Sequence, residues 1–114
     1  MQTLLQGGRT IDAVFVANDQ MAFGAMSALR HAGRTVPDNV AVVGFDDLPA
    51  AALMQPPLTT VRQPLYEMGR TAALMLMAAV RGEPVEKLVE LPTELIVRSS
   101  TAGSGAPVPE SAGG

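Results

Sequence analysis

An apolar run that ends in two acidic residues constrains the fold of this chain more than any other stretch. Residues 40–45 read VAVVGF, and Asp46 and Asp47 follow directly. A short β-branched run of this kind, bounded by turn residues, is typical of a strand buried on both faces of a parallel sheet. In open α/β sheets, ligands bind just beyond the carboxyl ends of such strands. The stretch therefore predicts an α/β domain with two carboxylates at the edge where ligands bind.

Two further apolar segments end in the polar pairs Asn18-Asp19 and Arg62-Gln63. If the three strands are parallel neighbours, their polar ends converge on one edge of the sheet. Amides and carboxylates together suit a hydroxyl-rich ligand, because each sugar hydroxyl both donates and accepts a hydrogen bond. Asn18, Asp46 and Gln63 are therefore candidate ligand-binding residues.

Each of these polar residues also has a simpler explanation. Asn and Asp are favoured helix N-caps, so either Asn18 or Asp19 could cap the following helix, and we favour this role for Asp19. Asp47 could cap the short helix that comes after it. Gln63 could be an ordinary loop residue. Asp46 is harder to explain in this way, because an acid directly after a buried strand is costly unless it has partners.

The helix predicted at residues 19–32 is apolar around most of its circumference. One stripe that should pack on the sheet consists of Ala22, Ala25, Leu29 and Ala32. Another face carries Phe23, Met26 and Arg30. Such a helix is buried on two sides or covered by a partner. Phe23 and Met26 are therefore candidates for a subunit interface. An alternative of equal weight is that other parts of the same protein cover these two side chains.

The remaining segments complete an alternating α/β pattern. Residues 49–55 predict a short helix that begins with a proline, and residues 65–80 predict a longer one. Residues 88–98 are typical of extended structure broken by a proline. Residues 102–114 are rich in Gly, Ser, Pro and Ala, which predicts a flexible tail.

Composition and missing motifs exclude several classes of function. A net charge of −3 gives no basic surface for nucleic acid, and the absence of cysteine excludes thiolate nucleophiles and cysteine-based metal sites. No apolar run is long enough to cross a membrane. No Ser/His/Asp set or glycine-rich phosphate loop indicates an enzyme. The acid pair could bind magnesium in a phosphoryl-transfer or receiver domain, but the only lysine, Lys87, lies far along the chain.

Four separated motifs resemble, in the same order, those of the LacI/GalR family of transcriptional regulators. They are DAVFVAND followed by MAFGA, GRTVPDNVAVVGFDD, PLTTVRQP and LPTELIVRSST. The resemblance implies an α/β, three-layer, parallel-sheet subdomain of an incomplete periplasmic-binding-protein-like (type I) fold. Residues 1–101 would form the C-terminal subdomain of a sugar-type effector-binding domain that is truncated at its N-terminus.

The resemblance also implies roles for particular residues. Asn18, Asp46 and Gln63 match ligand-contacting positions of the family, with Asp46 holding sugar hydroxyls, and Leu65 stands where the family often places an aromatic ring against the sugar. A homodimer would form through the helix at residues 19–32 and the segment at residues 49–55. The implied interface residues are Phe23, Met26, Leu53 and Met54.

On this resemblance, we expect this chain to be the effector-binding and dimerisation portion of a cytoplasmic regulator. The regulator would respond to a small ligand, for which a sugar is the first candidate. It would be neither an enzyme nor dependent on a metal or cofactor. Operator DNA would be read by an N-terminal helix-turn-helix outside these residues. One alternative is a periplasmic sugar-binding protein of a transport system, which shares the fold and would follow a signal peptide instead. Another is an enzyme or receiver that uses Asp46 and Asp47 for magnesium.

Overall fold

A computed structural model describes residues 1–102 of the chain. The elements in chain order are α1 (Gln2–Gln6), β1 (Ala13–Phe15), α2 (Asp19–His31), β2 (Ala41–Asp46), a 3-10 helix (Pro49–Leu53), β3 (Thr59–Arg62), α3 (Leu65–Val80) and β4 (Glu94–Ile96). The alternation of strands and helices is the one that the sequence predicts. Apart from Ala102, the predicted tail at residues 102–114 lies outside the described residues.

The strands form one sheet in the order β1-β2-β3-β4. β1 and β2 pair in parallel, with Phe15 opposite Val43, and β2 and β3 pair in parallel, with Asp46 opposite Arg62. The carboxyl ends of these three strands therefore lie at the same edge of the sheet, and the predicted parallel α/β class is confirmed. The predicted extended run at residues 88–98 contains only the three residues of β4 as regular strand.

Helix α2 begins at Asp19, as predicted, and ends at His31, one residue before the predicted end. Asn18, in an extended conformation, accepts a hydrogen bond from the Met21 N–H at the N-terminus. At the other end, Gly33 follows the C-cap residue with φ of 71°, a left-handed conformation that costs glycine little. The helix buries Ala22, Ala25 and Leu29 of the predicted stripe, whereas Ala32, its C-cap residue, is exposed.

Met26 lies in the hydrophobic core rather than on an open face of α2. Its side chain is only 2% exposed. Met26 follows Ala22 by four residues and precedes Leu29 by three, so helical spacing places it on the stripe that packs on the sheet, and its assignment to another face was wrong. The core of buried apolar residues consists of Val16, Ala22, Ala25, Met26, Leu29, Val40, Val42, Ala51 and Leu58.

The described chain divides into two compact units, and the single subdomain expected over residues 1–101 stays a prediction. The first unit contains Met1–Arg62 and the described residues from Leu95 onward, and the second contains Gln63–Glu94. In the second unit, α3 buries none of its residues, and a cavity of about 350 Å³ lies between this helix and residues 87–93.

Candidate functional site

The polar ends of β1 and β2 meet through Asp19, the first residue of α2. Asp19 is fully buried, and its Oδ2 accepts the backbone N–H of Leu48 at 2.7 Å. Its Oδ1 accepts the hydroxyl of Thr60 at 2.6 Å. The predicted N-cap role for Asp19 is therefore wrong, because Asn18 caps the helix and Asp19 joins the start of α2 to β3 and to the loop after β2.

Asn18 uses one end of its amide for structure. Its Oδ1 accepts the Met21 N–H at 2.9 Å, which confirms the simpler of its two explanations. This bond does not involve Nδ2, so the two roles do not compete for the same atom. A ligand contact by Asn18 stays a prediction.

The backbone after β2 has an unusual conformation at both acids. Asp46 has φ of 122° and Asp47 has φ of 58°, and these are the positive-φ residues other than glycine within residues 1–102. Such conformations are unfavourable for side chains with a Cβ, and they concentrate at binding and active sites. The strain falls on the residue for which the sequence predicts a ligand contact.

Asp47 is the centre of an ion-pair cluster. Its Oδ2 lies 2.6 Å from Nε of Arg62, and its Oδ1 lies 2.9 Å from Nη1 of Arg98. Its backbone N–H also donates to the Thr60 hydroxyl at 3.3 Å. Burial raises the pKa of the Asp47 carboxyl, but the two neighbouring arginines outweigh this effect and hold the pKa below its ordinary value.

The predicted capping role for Asp47 is wrong. The 3-10 helix has Leu48 at its N-cap and no side-chain cap bond. The sequence placed Asp47 next to a helix, but its partners lie 15 and 51 residues further along the chain, where spacing gives no signal. Because both of its oxygens face arginines, Asp47 is also a poor ligand for the magnesium ion of the alternative hypothesis.

The segment after β4 is hydrogen-bonded to β2 and to the start of β3, a role that was not predicted from the sequence. Ser100 is fully buried, and its hydroxyl donates to the Val42 carbonyl at 2.6 Å and accepts the Thr59 N–H at 2.8 Å. The backbone N–H of Arg98 donates to the Thr59 hydroxyl at 2.8 Å. These bonds fix the C-terminal segment against β2 and β3.

Gln63 and Leu65 belong to the second unit, whereas Asn18 and Asp46 belong to the first. Gln63 follows Arg62, the last residue of β3, and its carbonyl accepts the Leu65 N–H at 2.9 Å. The Leu65 side chain is 60% exposed at the start of α3. The structure therefore brings Asn18 and Asp46 to one sheet edge, and the ligand contacts of Gln63 and Leu65 stay predictions.

A cavity of about 620 Å³ in the first unit opens beside Phe15, Ala17 and Met21, and its lining does not include Asp46. Among residues 1–102, no group of three His, Cys, Asp or Glu side chains could hold a metal ion. No helix in that range is long and apolar enough to span a membrane.

Most of the chain is similar in sequence to known proteins. Residues 3–101 match the family described as periplasmic binding protein-like domain. The ribose operon repressor of Halalkalibacterium halodurans is 38% identical over 103 residues, which cover 90% of this chain and 31% of the repressor. The lactose operon repressor of Rhizobium radiobacter is 43% identical over 89 residues, which cover 78% of this chain and 79% of that sequence.

Two solved structures are similar at the level of the fold and of the sequence. A transcriptional regulator CelR–cellobiose complex has a TM-score of 0.82 and 44% identity, over 87% of this chain and 31% of CelR. The Lac repressor dimer bound to operator and the anti-inducer ONPF has a TM-score of 0.82 and 37% identity, over 87% of this chain and 35% of that one. This chain belongs to the LacI family of regulators, within the periplasmic binding protein-like domains. It spans about a third of the length of the ribose operon repressor.

Proposed function

We propose that this chain is part of the effector-binding domain of a transcriptional repressor whose affinity for operator DNA changes when a sugar binds. The observation that carries the proposal is Asp46, which ends β2 in a strained conformation at the carboxyl edge of three parallel strands. Family membership and the cellobiose bound to CelR support a sugar as the ligand.

The proposed ligand contacts are made by two kinds of groups. The carboxylate of Asp46 accepts hydrogen bonds from sugar hydroxyls, and charge makes such bonds stronger than neutral ones. The amides of Asn18 and Gln63 supply donors and acceptors for the remaining hydroxyls. Leu65 supplies apolar surface at the position where the family often has an aromatic side chain stacked on the sugar ring. This favours a ligand whose binding depends less on such stacking.

The proposed regulator acts as a homodimer. Leu53 is 82% exposed on the 3-10 helix, and Met54 and Phe23 are partly exposed while packing on the core. We place these three residues in the dimer interface and leave Met26 out, because a side chain buried in its own core offers no area to a partner. The Lac repressor structure, a dimer on its operator, supports this assembly.

In the whole protein, a separate DNA-binding domain would read the operator, and the effector site would act on it by allostery. The coupling is reciprocal, so operator binding and effector binding change each other's affinity by the same factor. We place the regulator in the cytoplasm and assign it no enzymatic activity. The relatives reported above are regulators, which supports this proposal over a transport protein of the same fold.

Isothermal titration calorimetry of the intact protein with a panel of mono- and disaccharides tests the proposal. The panel includes cellobiose and ribose. We expect at least one sugar to bind saturably to the wild type and at least about tenfold more weakly to Asp46→Asn, a loss of about 1.4 kcal/mol. Asparagine keeps the shape of the side chain and tolerates positive φ, so it removes the charge without forcing the backbone to move. Equal affinity of the two proteins for every sugar bound would contradict the site.

A further inference from the structure

We propose that Asp47 is a positioning residue for ligand binding: two arginines fix it, and it in turn holds the Asp46 backbone in the conformation that presents the Asp46 carboxylate to the ligand. The inference rests on the proposed function, in which Asp46 contacts the sugar. It adds a residue whose side chain is turned toward protein partners rather than toward a ligand.

The backbone conformation at Asp46 and Asp47 has to be held by contacts with other residues. Asp46 and Asp47 follow one another with φ of 122° and 58°, and neither is glycine. Two successive residues with positive φ persist only when their surroundings determine the conformation more strongly than local sterics oppose it. Whatever holds Asp47 therefore also determines the direction in which Asp46 leaves β2.

Several contacts that can supply this hold begin immediately after Asp46. The Asp47 N–H donates to the Thr60 hydroxyl at 3.3 Å, and the Asp47 carboxylate contacts both arginines. The next residue, Leu48, donates its N–H to buried Asp19 at 2.7 Å. The side chains of Asp47 and Arg98 are only 6% and 18% exposed, so salt screens their ion pair less than it screens the pair with Arg62, which is 51% exposed.

The two arginines reach Asp47 from separate parts of the first unit, and one is itself fixed. Arg98 donates from Nη1 to the Leu58 carbonyl at 2.9 Å, and its backbone N–H donates to the Thr59 hydroxyl at 2.8 Å. Arg62 is the last residue of β3 and pairs in register with Asp46. Asp47 is thus held from the strand beside Asp46 and from the segment after β4.

The charge of Asp47 is essential to this arrangement. An aspartate places two anionic oxygens near two guanidinium groups. Its Oδ2 accepts a hydrogen bond from Nε of Arg62, whereas its Oδ1 lies 2.9 Å from Nη1 of Arg98 as a charge contact without a hydrogen bond. An asparagine has the same shape and tolerates the same φ, but it presents one oxygen and an NH₂ group that repels the second arginine. Asp47→Asn therefore removes the hold while adding no steric change of its own.

A double-mutant cycle on the intact regulator tests the inference. The affinity of the sugar that binds the wild type in the panel containing cellobiose and ribose is measured for Asp46→Asn, Asp47→Asn and the double variant. Thermal unfolding and operator binding without sugar are followed in parallel. Asp38→Asn, which removes an exposed acid from the turn before β2, is the control for the loss of one negative charge.

We expect Asp47→Asn to weaken sugar binding at least about tenfold, and to weaken it less than about threefold further when Asp46→Asn is already present. Such non-additivity is what a residue acting through Asp46 produces, and a general loss of stability does not produce it. Asp38→Asn should bind the sugar as the wild type does.

Three results would overturn the inference, and they separate it from the proposed function. If Asp46→Asn weakens binding but Asp47→Asn does not, the positioning role fails and the ligand site stands. If the two effects multiply fully in the double variant, Asp47 acts independently of Asp46, and the positioning role again fails. If Asp46→Asn binds the sugar normally, the proposed site fails and the inference fails with it.

A second variant keeps the test decisive if Asp47→Asn does not fold. Arg62 is 51% exposed, so Arg62→Gln removes one of the two ion pairs with little loss of packing. We expect the same non-additivity with Asp46→Asn, with a smaller loss of affinity because Arg98 still holds Asp47. A folded Arg62→Gln variant with wild-type sugar affinity would contradict the inference.

Discussion

The hydroxyl of Thr60 donates to the Oδ1 of Asp19 at 2.6 Å, and both side chains are fully buried. Thr60 lies on β3, and Asp19 begins the helix that follows β1, so this bond connects the two strands that flank β2. The other oxygen of Asp19 accepts the N–H of Leu48 beyond the acid pair. The buried carboxylate of Asp19 thus holds together the backbone segments that carry the proposed ligand site.

Replacing Thr60 by valine tests this bond with almost no change of shape. Thr60→Val leaves the Asp19 oxygen without its donor and removes the acceptor of the Asp47 N–H. A buried polar group without its partner costs about 1–3 kcal/mol, so we expect the free energy of unfolding to fall by about that amount in urea denaturation of the intact protein. Thr35→Val, at an exposed hydrogen bond to Asn39, should cost less than about 0.5 kcal/mol.

Gly44, in the middle of β2, is required by close packing. A Cβ at this position would collide with the Asp19 carboxylate and lie 2.9 Å from Cδ2 of Leu58, both of which are buried. Gly44→Ala should therefore destabilise the protein by about 1–3 kcal/mol in thermal unfolding, because overpacking forces neighbouring groups to shift.

The matched control for Gly44 is Gly24, an interior residue of α2. A Cβ added at Gly24 meets nothing within 4 Å, and alanine is the better helix former. Gly24→Ala should raise the free energy of unfolding by about 1 kcal/mol. Two glycine-to-alanine changes with shifts of the same sign would contradict this account of the packing around Asp19.

Asp47 should make stability depend on pH in the acid range. Its pKa in the folded protein is lowered, so folding favours the ionised carboxyl. This stabilisation is complete above the unfolded-state pKa of about 3.9 and is lost as the pH falls through the lower folded-state value. The difference in unfolding free energy between wild type and Asp47→Asn should therefore be largest near neutral pH and shrink below about pH 4. A difference that stays constant down to about pH 2 would show that the ion pairs contribute no pH-dependent stability.

The proposed dimer interface is tested at Leu53, which is 82% exposed. Leu53→Asp removes an apolar contact and adds a charge that would have to be buried between subunits. We expect the dimer dissociation constant to rise at least about tenfold in sedimentation equilibrium, with little change in secondary structure. Gln6→Glu, which adds the same charge at an exposed position of α1, serves as the control. A Leu53→Asp protein with wild-type dimer affinity would remove Leu53 from the interface.

Much of the fold is predictable from the sequence because it depends on local patterns. The bounds of α3 follow from helical periodicity, and β2 follows from a continuous apolar run. The choice of Asn18 over Asp19 as the cap of α2 does not follow from the sequence. The roles of Asp19, Asp47 and Ser100 could not be predicted in this way. The partners of their side chains are 15 to 58 residues away along the chain, and only the folded sheet brings them together.

The central claim is that a sugar bound at Asp46 controls operator binding. It is tested most directly by measuring the fraction of intact protein bound to its operator as sugar is added, for wild type and Asp46→Asn. We predict that both proteins bind the operator equally without sugar, and that the sugar concentration needed for half of the response is at least about tenfold higher for Asp46→Asn. An unchanged half-response concentration in the variant would contradict the claim.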